Sequence, residues 1–456
     1  MDTQEFDLVI VGAGSGNNIP QQAMDGWKIA VVERDVFGGT CLNRGCIPSK
    51  MFVLAADAAE TAETAHRLGV DTHVDGVRWP DIVARVFGRI DPIADGGERY
   101  RRSLDNTTVF TGDARFVAHK TLEVDGQRIR GEHIVIAVGA RSVIPMIPGL
   151  VDVPFHTSDD VMRLPELPKH LVIIGGGFIA NEMGHVFASL GSKVTIVNRG
   201  SRLLSAEDDE ISVAFTELAS KRMDVLLDAK VHAAHRNANG GVLLDIEGRH
   251  GHRVIDGDVL LVAAGRHANG DTLNLGATGL EADERGCVAT DGHLQTAVPG
   301  IWALGDVTGR HQLKHMANGE ARVVSHNLVH PQDLRLADER PAPHAVFTSP
   351  QIAACGLTER AAMAAGKHYR VARRSYGDTA YGWALEDTTS FVKVLADPST
   401  GLIIGAHVIG PQAATLIQPL VQAMHLGNTV QQVATGVIYL HPALSEVVEQ
   451  VALELC

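Results

Sequence analysis

The chain has 456 residues, which predicts about three domains at roughly 150 residues each. Apolar residues make up 45%, charged residues make up 21%, and the formal net charge is −14. This acidic balance argues against a nucleic-acid binder, which needs a basic face, and no apolar run reaches the ~18 residues that span a bilayer. The acidic start leads straight into an apolar strand, so we expect no signal peptide. Five scattered cysteines predict no disulfide framework, and the composition as a whole indicates a cytoplasmic enzyme.

Two glycine-rich segments follow apolar runs and predict dinucleotide-binding βαβ units. The first apolar run, 8–11, leads into Gly12-Ala13-Gly14-Ser15-Gly16, and the second, 171–174, leads into Gly175-Gly176-Gly177-Phe178-Ile179-Ala180. Each is expected to be a buried strand that ends in glycines and opens a helix, whose N-terminus favours a pyrophosphate. Asn17 stands at the third glycine position of the first unit, so its helix is expected to pack less closely on the strand.

The residue that ends the second strand of each unit predicts which ribose is bound. Glu33 lies 21 residues after Gly12 and is placed to accept hydrogen bonds from an adenosine ribose. The equivalent residue of the second unit is Asn198, which Arg199 and then Arg202 follow. This unit has no carboxylate here, and its two guanidiniums can each form bidentate hydrogen bonds with a 2′-phosphate. It is therefore expected to prefer NADPH to NADH. The alternative is that both arginines are ordinary solvated surface.

Later segments indicate that one dinucleotide-binding unit interrupts the other. Apolar runs ending at Gly139 and Gly265 each close a unit, and a further run at 301–304 leads into Gly305-Asp306. A carboxylate there suits the edge of a parallel sheet near a cofactor. The expected fold class is therefore α/β, with two Rossmann-like domains, the second inserted in the first, and a further αβ region from Pro341. The expected boundaries are 1–150 and 269–340 for the first domain, 151–268 for the second and 341–456 for the third.

Cys41 and Cys46 lie in the segment GGTCLNRGCIPSK, residues 38–50. An ideal helix holds residues i and i+5 roughly 8–9 Å apart at the Cα atoms, whereas a disulfide needs about 4.4–6.8 Å. A disulfide here requires a distorted turn, for which Gly45 supplies the freedom, while Gly39 and Thr40 let the segment lie against a flat cofactor. The alternatives to a redox-active pair are two unrelated core cysteines or a metal site, but no further ligands lie nearby, so no metal is predicted.

Near the C-terminus, Glu446 follows His441 by five residues. A carboxylate at this distance can hold a histidine in one tautomer, which suits proton transfer near neutral pH. By itself the pattern is equally typical of an ordinary surface or core histidine with no part in proton transfer, since the chain contains 22 histidines. It gains weight from the cysteine pair, because a reactive thiol needs an acid and a base beside it.

These motifs occur in the order found in pyridine nucleotide–disulfide oxidoreductases of the glutathione reductase and lipoamide dehydrogenase type, which the chain resembles over essentially its whole length. The resemblance implies FAD on the first domain, NADPH on the second, a central domain and a C-terminal α+β interface (dimerisation) domain that builds a homodimer. Within the family the chain most resembles members that reduce mycothione, the disulfide of mycothiol. The segments that carry this finer likeness are SGN at 15–17, PSKMFV at 48–53, YGD at 376–378, AYGWA at 380–384 and IQPL at 417–420.

The resemblance also implies roles for individual residues. Cys46 would be the flavin-side thiol and Cys41 the interchange thiol that attacks the substrate disulfide. His441 of the other subunit, oriented by Glu446, would move the proton of Cys41. Lys50 would lie by the flavin, and Phe178 would gate the nicotinamide by packing alone. The complete set of implied cofactor contacts is Gly12, Gly14, Ser15, Gly16, Glu33, Gly39, Thr40, Cys41, Lys50, Ala114, Ala137, Gly139, Gly305, Asp306, Gly175, Gly177, Phe178, Ile179, Ala180, Glu182 (as the partner of Lys50), Arg199, Arg202 and Gly265.

Several alternatives to mycothione reduction stay open at this point. Lipoamide dehydrogenase usually has an acidic residue where Asn198 stands, and glutathione reductase is a third choice. Mercuric reductase would have paired cysteines at its C-terminus, whereas Cys456 is solitary. A flavin-dependent transhydrogenase, or a non-catalytic binding protein with this fold, would give no reason for the cysteine pair. The expected role is thiol redox homeostasis, without nucleic-acid or membrane partners.

Overall fold

The computed structural model describes residues 2–20, 22–249 and 251–456. In chain order the strands are β1 (Thr3–Val11), β2 (Ile29–Glu33), β3 (Thr107–Thr111), β4 (Ala114–Ala118), β5 (Thr121–Val124), β6 (Gln127–Ile136), β7 (Ala140–Ser142), β8 (His170–Ile174), β9 (Lys193–Val197), β10 (Asp224–Leu226), β11 (Lys230–Arg236), β12 (Val242–Gly248), β13 (Gly251–Gly257), β14 (Val259–Val262), β15 (Arg266–Ala268), β16 (Ile301–Ala303), β17 (His344–Val346), β18 (Ile352–Gly356), β19 (Arg370–Ser375), β20 (Phe391–Ala396) and β21 (Ile403–Ile409). The α-helices are α1 (Gly39–Asn43), α2 (Cys46–Thr64), α3 (Trp79–Arg102), α4 (Phe178–Ser189), α5 (Asp209–Ala219), α6 (Lys314–Val329), α7 (Glu359–Ala364), α8 (Ala380–Ala384), α9 (Ala413–Leu416), α10 (Gln418–Leu426), α11 (Val430–Thr435) and α12 (Glu446–Leu453). Among the described residues, no helix has both the length and the apolar character to cross a membrane.

The first sheet has seven strands in the order β3-β2-β1-β6-β5-β4, with β16 paired to β6. β1, β2, β3, β6 and β16 run parallel, whereas β4, β5 and β6 form an antiparallel meander. Leu8–Val11 of β1 are buried on both faces, as expected for a parallel sheet covered on each side. Because β16 comes from residue 301 onward, the chain returns to this sheet after building a second one.

The second sheet is a parallel sheet in the order β10-β9-β8-β14, accompanied by an antiparallel sheet of β11-β12-β13. Between the two units, β7 and β15 pair antiparallel, with Ala140 opposite Ala268. The chain therefore leaves the first unit and re-enters it through one two-stranded ribbon, which is how a complete unit can be inserted without separating the two ends.

The C-terminal unit is built on an antiparallel sheet in the order β17-β18-β21-β20-β19, which shares its core with α9 to α12. An ion cluster around a buried lysine joins this sheet to the second unit. Lys393 of β20, 1% exposed, donates to Asp208 at 2.8 Å, Glu210 at 2.8 Å and Glu359 at 2.5 Å. Burial alone would lower the pKa of Lys393, but the three carboxylates raise it overall, so the lysine stays charged.

The glycine turn of the first unit differs from the predicted strand–turn–helix. It is followed by a single 3-10 turn, Gly16–Asn18, instead of an α-helix. Gly16 makes the close contact with the strand that the glycine pattern assigns to position 17. A Cβ at residue 16 would lie 2.8 Å from Cγ2 of Ile10. Asn17 accepts a 2.7 Å hydrogen bond from Nε of the buried Arg101 on α3. The expectation of a helix was therefore wrong here: the segment forms one short turn with its own backbone hydrogen bonds and is also held by the side chain of Arg101 on α3.

Candidate active site

A cavity of about 1190 Å³ opens where the three units meet. The predicted residues that line it are Gly12, Gly14, Ser15, Glu33, Gly39, Thr40, Cys41, Cys46, Lys50, Ala114, Ala137, Gly139, Phe178, Ile179, Glu182, Gly305 and Asp306. The predicted residues outside its lining are Gly16, Gly175, Gly177, Ala180, Arg199, Arg202, Gly265, His441 and Glu446. The fold thus gathers the first glycine turn, the cysteine segment and the start of α4 around one space, while the arginines and the histidine lie elsewhere.

The glycine turn of β1 is shaped for close approach by a ligand. Gly12 has φ of +106°, and a Cβ there would lie 2.4 Å from the carbonyl oxygen of Ala137. Gly39 has φ of +63°, and a Cβ there would lie 2.7 Å from Cα of Gly14. Side chains would therefore fill the cradle between the turn and the start of α1, which fits the pyrophosphate and flavin of a dinucleotide such as FAD.

Two carboxylates stand at the ends of strands in the same cavity. Glu33 accepts backbone hydrogen bonds from Ala13 at 2.7 Å and from Asp35 at 3.0 Å, so its orientation is fixed while further lone pairs stay available to a ribose. Asp306 follows β16, where burial raises its pKa. Arg266 lies 3.9 Å from it. Both side chains are acceptors, which suits the hydroxyl groups of a bound dinucleotide.

The cysteine segment is two helices broken at Gly45. α1 ends at Asn43, Gly45 caps the next helix, and Cys46 is the first residue of α2. A Cβ at Gly45 would lie 2.9 Å from the carbonyl oxygen of Thr40, so the break needs a glycine. The buried Asn43 side chain donates to the carbonyl oxygens of Phe37 at 2.8 Å and Gly39 at 3.0 Å, which locks the preceding turn. No local sequence pattern marks Asn43, since its role depends on how this loop folds.

The two thiols, both free, have opposite protonation tendencies. A hydrogen bond from Cys41 lowers the pKa of Cys46 to about 7, against the opposing effect of burial and with help from the charge of Lys50. The same hydrogen bond, together with burial, raises the pKa of Cys41. The position of Cys46 at the N-terminus of a 19-residue helix also favours a thiolate. These opposite shifts favour ionisation of Cys46 before Cys41.

Lys50 joins the first and second units beside the thiols. Its Nζ lies 2.7 Å from both carboxylate oxygens of Glu182 on α4, and Glu182 is nearly buried. Glu182 also accepts from the backbone nitrogen of Phe347 at 2.9 Å, and the ring of Phe347 lies under Nζ of Lys50 at 4.6 Å. Lys50, Glu182 and Phe347 thus connect the three units at the wall of the cavity. Lys50 also keeps a positive charge near Cys46.

The second glycine turn has the geometry of a pyrophosphate site. Gly175 has φ of +126°, and a Cβ there would lie 2.2 Å from the carbonyl oxygen of Ala263. A Cβ at Gly177 would meet no atom within 4 Å, which leaves the start of the 12-residue helix α4 open to a ligand. Phe178 follows with its side chain about half exposed at the cavity, and it carries no hydroxyl. A nicotinamide dinucleotide fits this arrangement.

The residues after β9 differ in their availability to a ligand. The side chain of Asn198 donates to the carbonyl oxygens of Gly200 at 3.1 Å and Arg202 at 2.9 Å, so it closes the loop. Arg202 forms an ion pair with Asp209 at 3.1 Å. Arg199 is exposed and has no carboxylate within 4.0 Å among the described residues. Of the two guanidiniums, Arg199 is therefore the one that no carboxylate in the described part of the chain holds in place.

His441 is not among the residues that line the cavity with the thiols of its own chain. Its Nδ1 is 2.8 Å from Glu446, and 73% of its side chain is exposed. Neighbouring apolar side chains are also exposed, with Ile438 at 101% and Leu440 at 78%. A second carboxylate oxygen of Glu446 accepts from the backbone nitrogen of Ala443 at 3.0 Å, so the histidine is held by a fixed carboxylate. An exposed, oriented imidazole among exposed apolar residues suits a surface that another chain covers.

Fold and site together define a two-dinucleotide disulfide reductase, and the chain belongs to the pyridine nucleotide-disulphide oxidoreductases. Residues 6–321 match the family model of that description, and residues 342–452 match the model of its dimerisation domain. It is therefore a flavin disulfide oxidoreductase that uses FAD and a nicotinamide dinucleotide. The dimerisation domain indicates a homodimer.

Individual relatives narrow the comparison. The chain is 46% identical to mycothione reductase of Mycobacterium tuberculosis over 462 residues, which cover 99% of this chain and 100% of that protein. It is 32% identical to dihydrolipoyl dehydrogenase of Chlamydia trachomatis over 99% of this chain and 97% of that one. Among solved structures, the HOCl-induced flavoprotein disulfide reductase RclA from Escherichia coli has a TM-score of 0.85 at 28% identity, covering 98% of this chain and 99% of that chain.

Proposed function

We propose that the protein reduces mycothione to two molecules of mycothiol with NADPH, through a redox-active pair formed by Cys41 and Cys46. The observation that carries this proposal is geometric: Cys41 and Cys46, on either side of the helix break at Gly45, line one cavity together with the first glycine turn and the start of α4. The 46% identity to a mycothione reductase supports the choice of disulfide. Residues 1–150 and 269–340 would form the FAD-binding unit, 151–268 the NADPH-binding unit and 341–456 the interface.

The protonation pattern assigns different tasks to the two cysteines. FAD, when bound, supplies the two-electron transfer that reduces the Cys41–Cys46 disulfide to the dithiol. Cys46 is then the resting thiolate, stabilised by Lys50 and by the hydrogen bond from Cys41. Because the pKa of Cys41 is raised, Cys41 needs a base before it can attack a disulfide. His441, oriented by Glu446, is the base that the surface of a second subunit would bring.

Bond changes follow from this assignment. Cys41, after giving its proton to His441, attacks one sulfur of mycothione, and the S–S bond of the substrate breaks to release one mycothiol thiolate. The imidazolium returns the proton to that thiolate. Cys46 thiolate then attacks the sulfur of Cys41, which restores the protein disulfide and releases the second mycothiol as a thiolate that takes a proton from solvent. Two electrons and two protons are consumed overall, and the fixed His–Glu pair serves both transfers of the Cys41 proton.

The preference for NADPH rests on the loop after β9. Asn198 carries no negative charge to repel a 2′-phosphate, and the exposed Arg199 can reach one, while Arg202 adds a second positive charge held by Asp209. An enzyme that used NADH would benefit from a carboxylate at position 198, which would accept from both ribose hydroxyls.

Steady-state kinetics test the proposed substrate and dinucleotide. Rates with NADPH and NADH should be measured against mycothione, lipoamide and oxidised glutathione. We expect the highest kcat/KM for NADPH with mycothione. A preference for lipoamide with NADH would contradict the proposal and favour the dihydrolipoyl dehydrogenases, to which the chain is 32% identical.

Mixed dimers test the origin of His441. Two inactive variants, Cys41→Ser and His441→Ala, are co-expressed with different tags and the heterodimer is isolated. If His441 serves the other subunit, one site combines an intact Cys41 with an intact His441, and about half of the wild-type activity returns. If it serves its own subunit, both sites stay defective and the heterodimer is as inactive as its parents.

A further inference from the structure

Within the described part of the chain, one lysine of the active-site cavity has no carboxylate within 4.0 Å. The other lysine and arginine side chains in the lining each lie within 4.0 Å of a carboxylate, in the pairs Arg34–Asp113, Arg44–Asp35, Lys50–Glu182 and Arg266–Asp306. Lys314 forms no such pair among the described residues. Its Nζ instead donates to the hydroxyl of Ser15 at 3.1 Å. Its charge also reaches Asp306, where it opposes the burial that raises the pKa of that carboxyl, but Asp306 already lies beside Arg266. The ammonium of Lys314 is therefore incompletely compensated.

The place of Lys314 in the fold adds to this excess of positive charge. It is the first residue of the 16-residue helix α6, whose first turn contains no acidic residue and whose cap provides no side-chain acceptor. A positive side chain at a helix N-terminus opposes the helix dipole and is locally unfavourable. Sites that break a local rule in this way are commonly functional, because a ligand supplies the missing charge.

Ser15 identifies the anion that Lys314 would meet. Ser15 lies between Gly14 and Gly16 in the first glycine turn, whose cradle fits the pyrophosphate of FAD. The contact between Lys314 and Ser15 joins residues 299 positions apart, so the start of α6 is brought across the cavity to that turn. We propose that Lys314 pairs with the pyrophosphate of bound FAD and is a cofactor-binding residue supplied by α6. Together, the amides of the turn and this ammonium would surround the two phosphates with hydrogen-bond donors.

Release of FAD from the holoenzyme tests the proposal without using the substrate, so its outcome is independent of the mycothione assignment. Dilution of the yellow protein frees FAD, whose fluorescence reports the dissociation constant. Lys314→Met is expected to raise this constant about 10- to 100-fold, as for loss of one charge-assisted hydrogen bond. Lys314→Arg keeps the charge and should stay within about threefold of wild type. Lys221→Met, at an exposed lysine of the second unit, is the control for net charge and should change nothing.

Three results would overturn the proposal. The first is unchanged FAD affinity in Lys314→Met, or in Lys314→Gln if the methionine variant does not give a folded dimer. The second is an equal loss of affinity in Lys314→Arg, which would indicate a packing role. The third is unchanged affinity with an altered flavin potential or an altered pH profile of Cys41 alkylation. The positive charge of Lys314 also lowers the pKa of Cys41, against the larger opposing effect of the hydrogen bond to Cys46, so this third result would place its action at the thiols.

Discussion

The hydrogen bond between the two active-site thiols makes a quantitative prediction. It is the main reason that the pKa of Cys46 is lowered from an ordinary value of 9.0 to about 7. A hydrogen bond to a charged acceptor contributes ~1.5–3 kcal/mol, and 1.36 kcal/mol corresponds to a tenfold change in acid dissociation, so Cys41→Ala should raise the pKa of Cys46 to between about 8 and 9. At pH 7 the thiolate fraction of Cys46 would then fall from about one half to between about 1% and 10%. Lys50 and the N-terminus of α2 remain in place, so part of the stabilisation should survive.

A pH titration of the holoenzyme measures this change. Both Cys41→Ala and Cys41→Ser leave Cys46 as the one active-site thiol beside oxidised FAD, and the long-wavelength absorbance of a thiolate next to the flavin reports its ionisation. This band should appear as the pH rises through the pKa of Cys46. Serine at position 41 retains a hydrogen-bond donor, so the pKa of Cys46 in Cys41→Ser should stay near 7. In Cys41→Ala the pKa of Cys46 should rise. If both variants titrate at the same pH, the hydrogen bond is not the cause of the lowered pKa, and our assignment of the proton to Cys41 is wrong.

Three further substitutions follow from the structure. Arg199→Ala should lower kcat/KM for NADPH about 10- to 100-fold and leave NADH unaffected, since a charge-assisted contact to the 2′-phosphate is lost; steady-state kinetics measure it. Lys393→Met should lower the free energy of unfolding by ~3–5 kcal/mol, because it leaves the fully buried Asp208 without its main counter-charge; urea titration measures it. Gly12→Ala should purify with little FAD, because the new Cβ would meet the carbonyl oxygen of Ala137 at 2.4 Å; flavin absorbance per protein measures it.

Each of these predictions has a matched control. Gly26→Ala also places a side chain at positive φ, +89°, but with no atom within 4 Å of the Cβ, so it should keep its FAD. Equal loss of FAD in both glycine variants would show that backbone conformation, and not the close approach at residue 12, is responsible. Lys367→Met, at an exposed lysine of the third unit, should unfold like wild type. Equal loss of NADH and NADPH activity in Arg199→Ala would place that residue outside the 2′-phosphate site.

Local patterns predicted the parts of the fold that depend on neighbouring residues. A run of apolar residues that ends in glycine marks the carboxyl end of a buried strand, and β1, β6, β8, β14 and β16 all follow this pattern. The failure at residues 16–18 has a clear cause. The short 3-10 turn there is held by Arg101, 84 residues later, and a bond across that distance has no local signal.

The sequence by itself determined the α/β class, the two dinucleotide-binding units and the candidate thiols, because each depends on residues close together in the chain. The −14 charge of the whole chain says little about its active site, where Arg44, Lys50 and Arg266 each lie beside a carboxylate. Only the tertiary structure decided that pairing, the opposite pKa shifts of the two thiols, and the contact of Lys314 with a hydroxyl and, among the described residues, with no carboxylate. These properties depend on burial and on contacts that the chain order does not show, such as Lys50–Glu182 across 132 positions and Lys314–Ser15 across 299, because electrostatic interactions are set by distance in space and by exclusion of water.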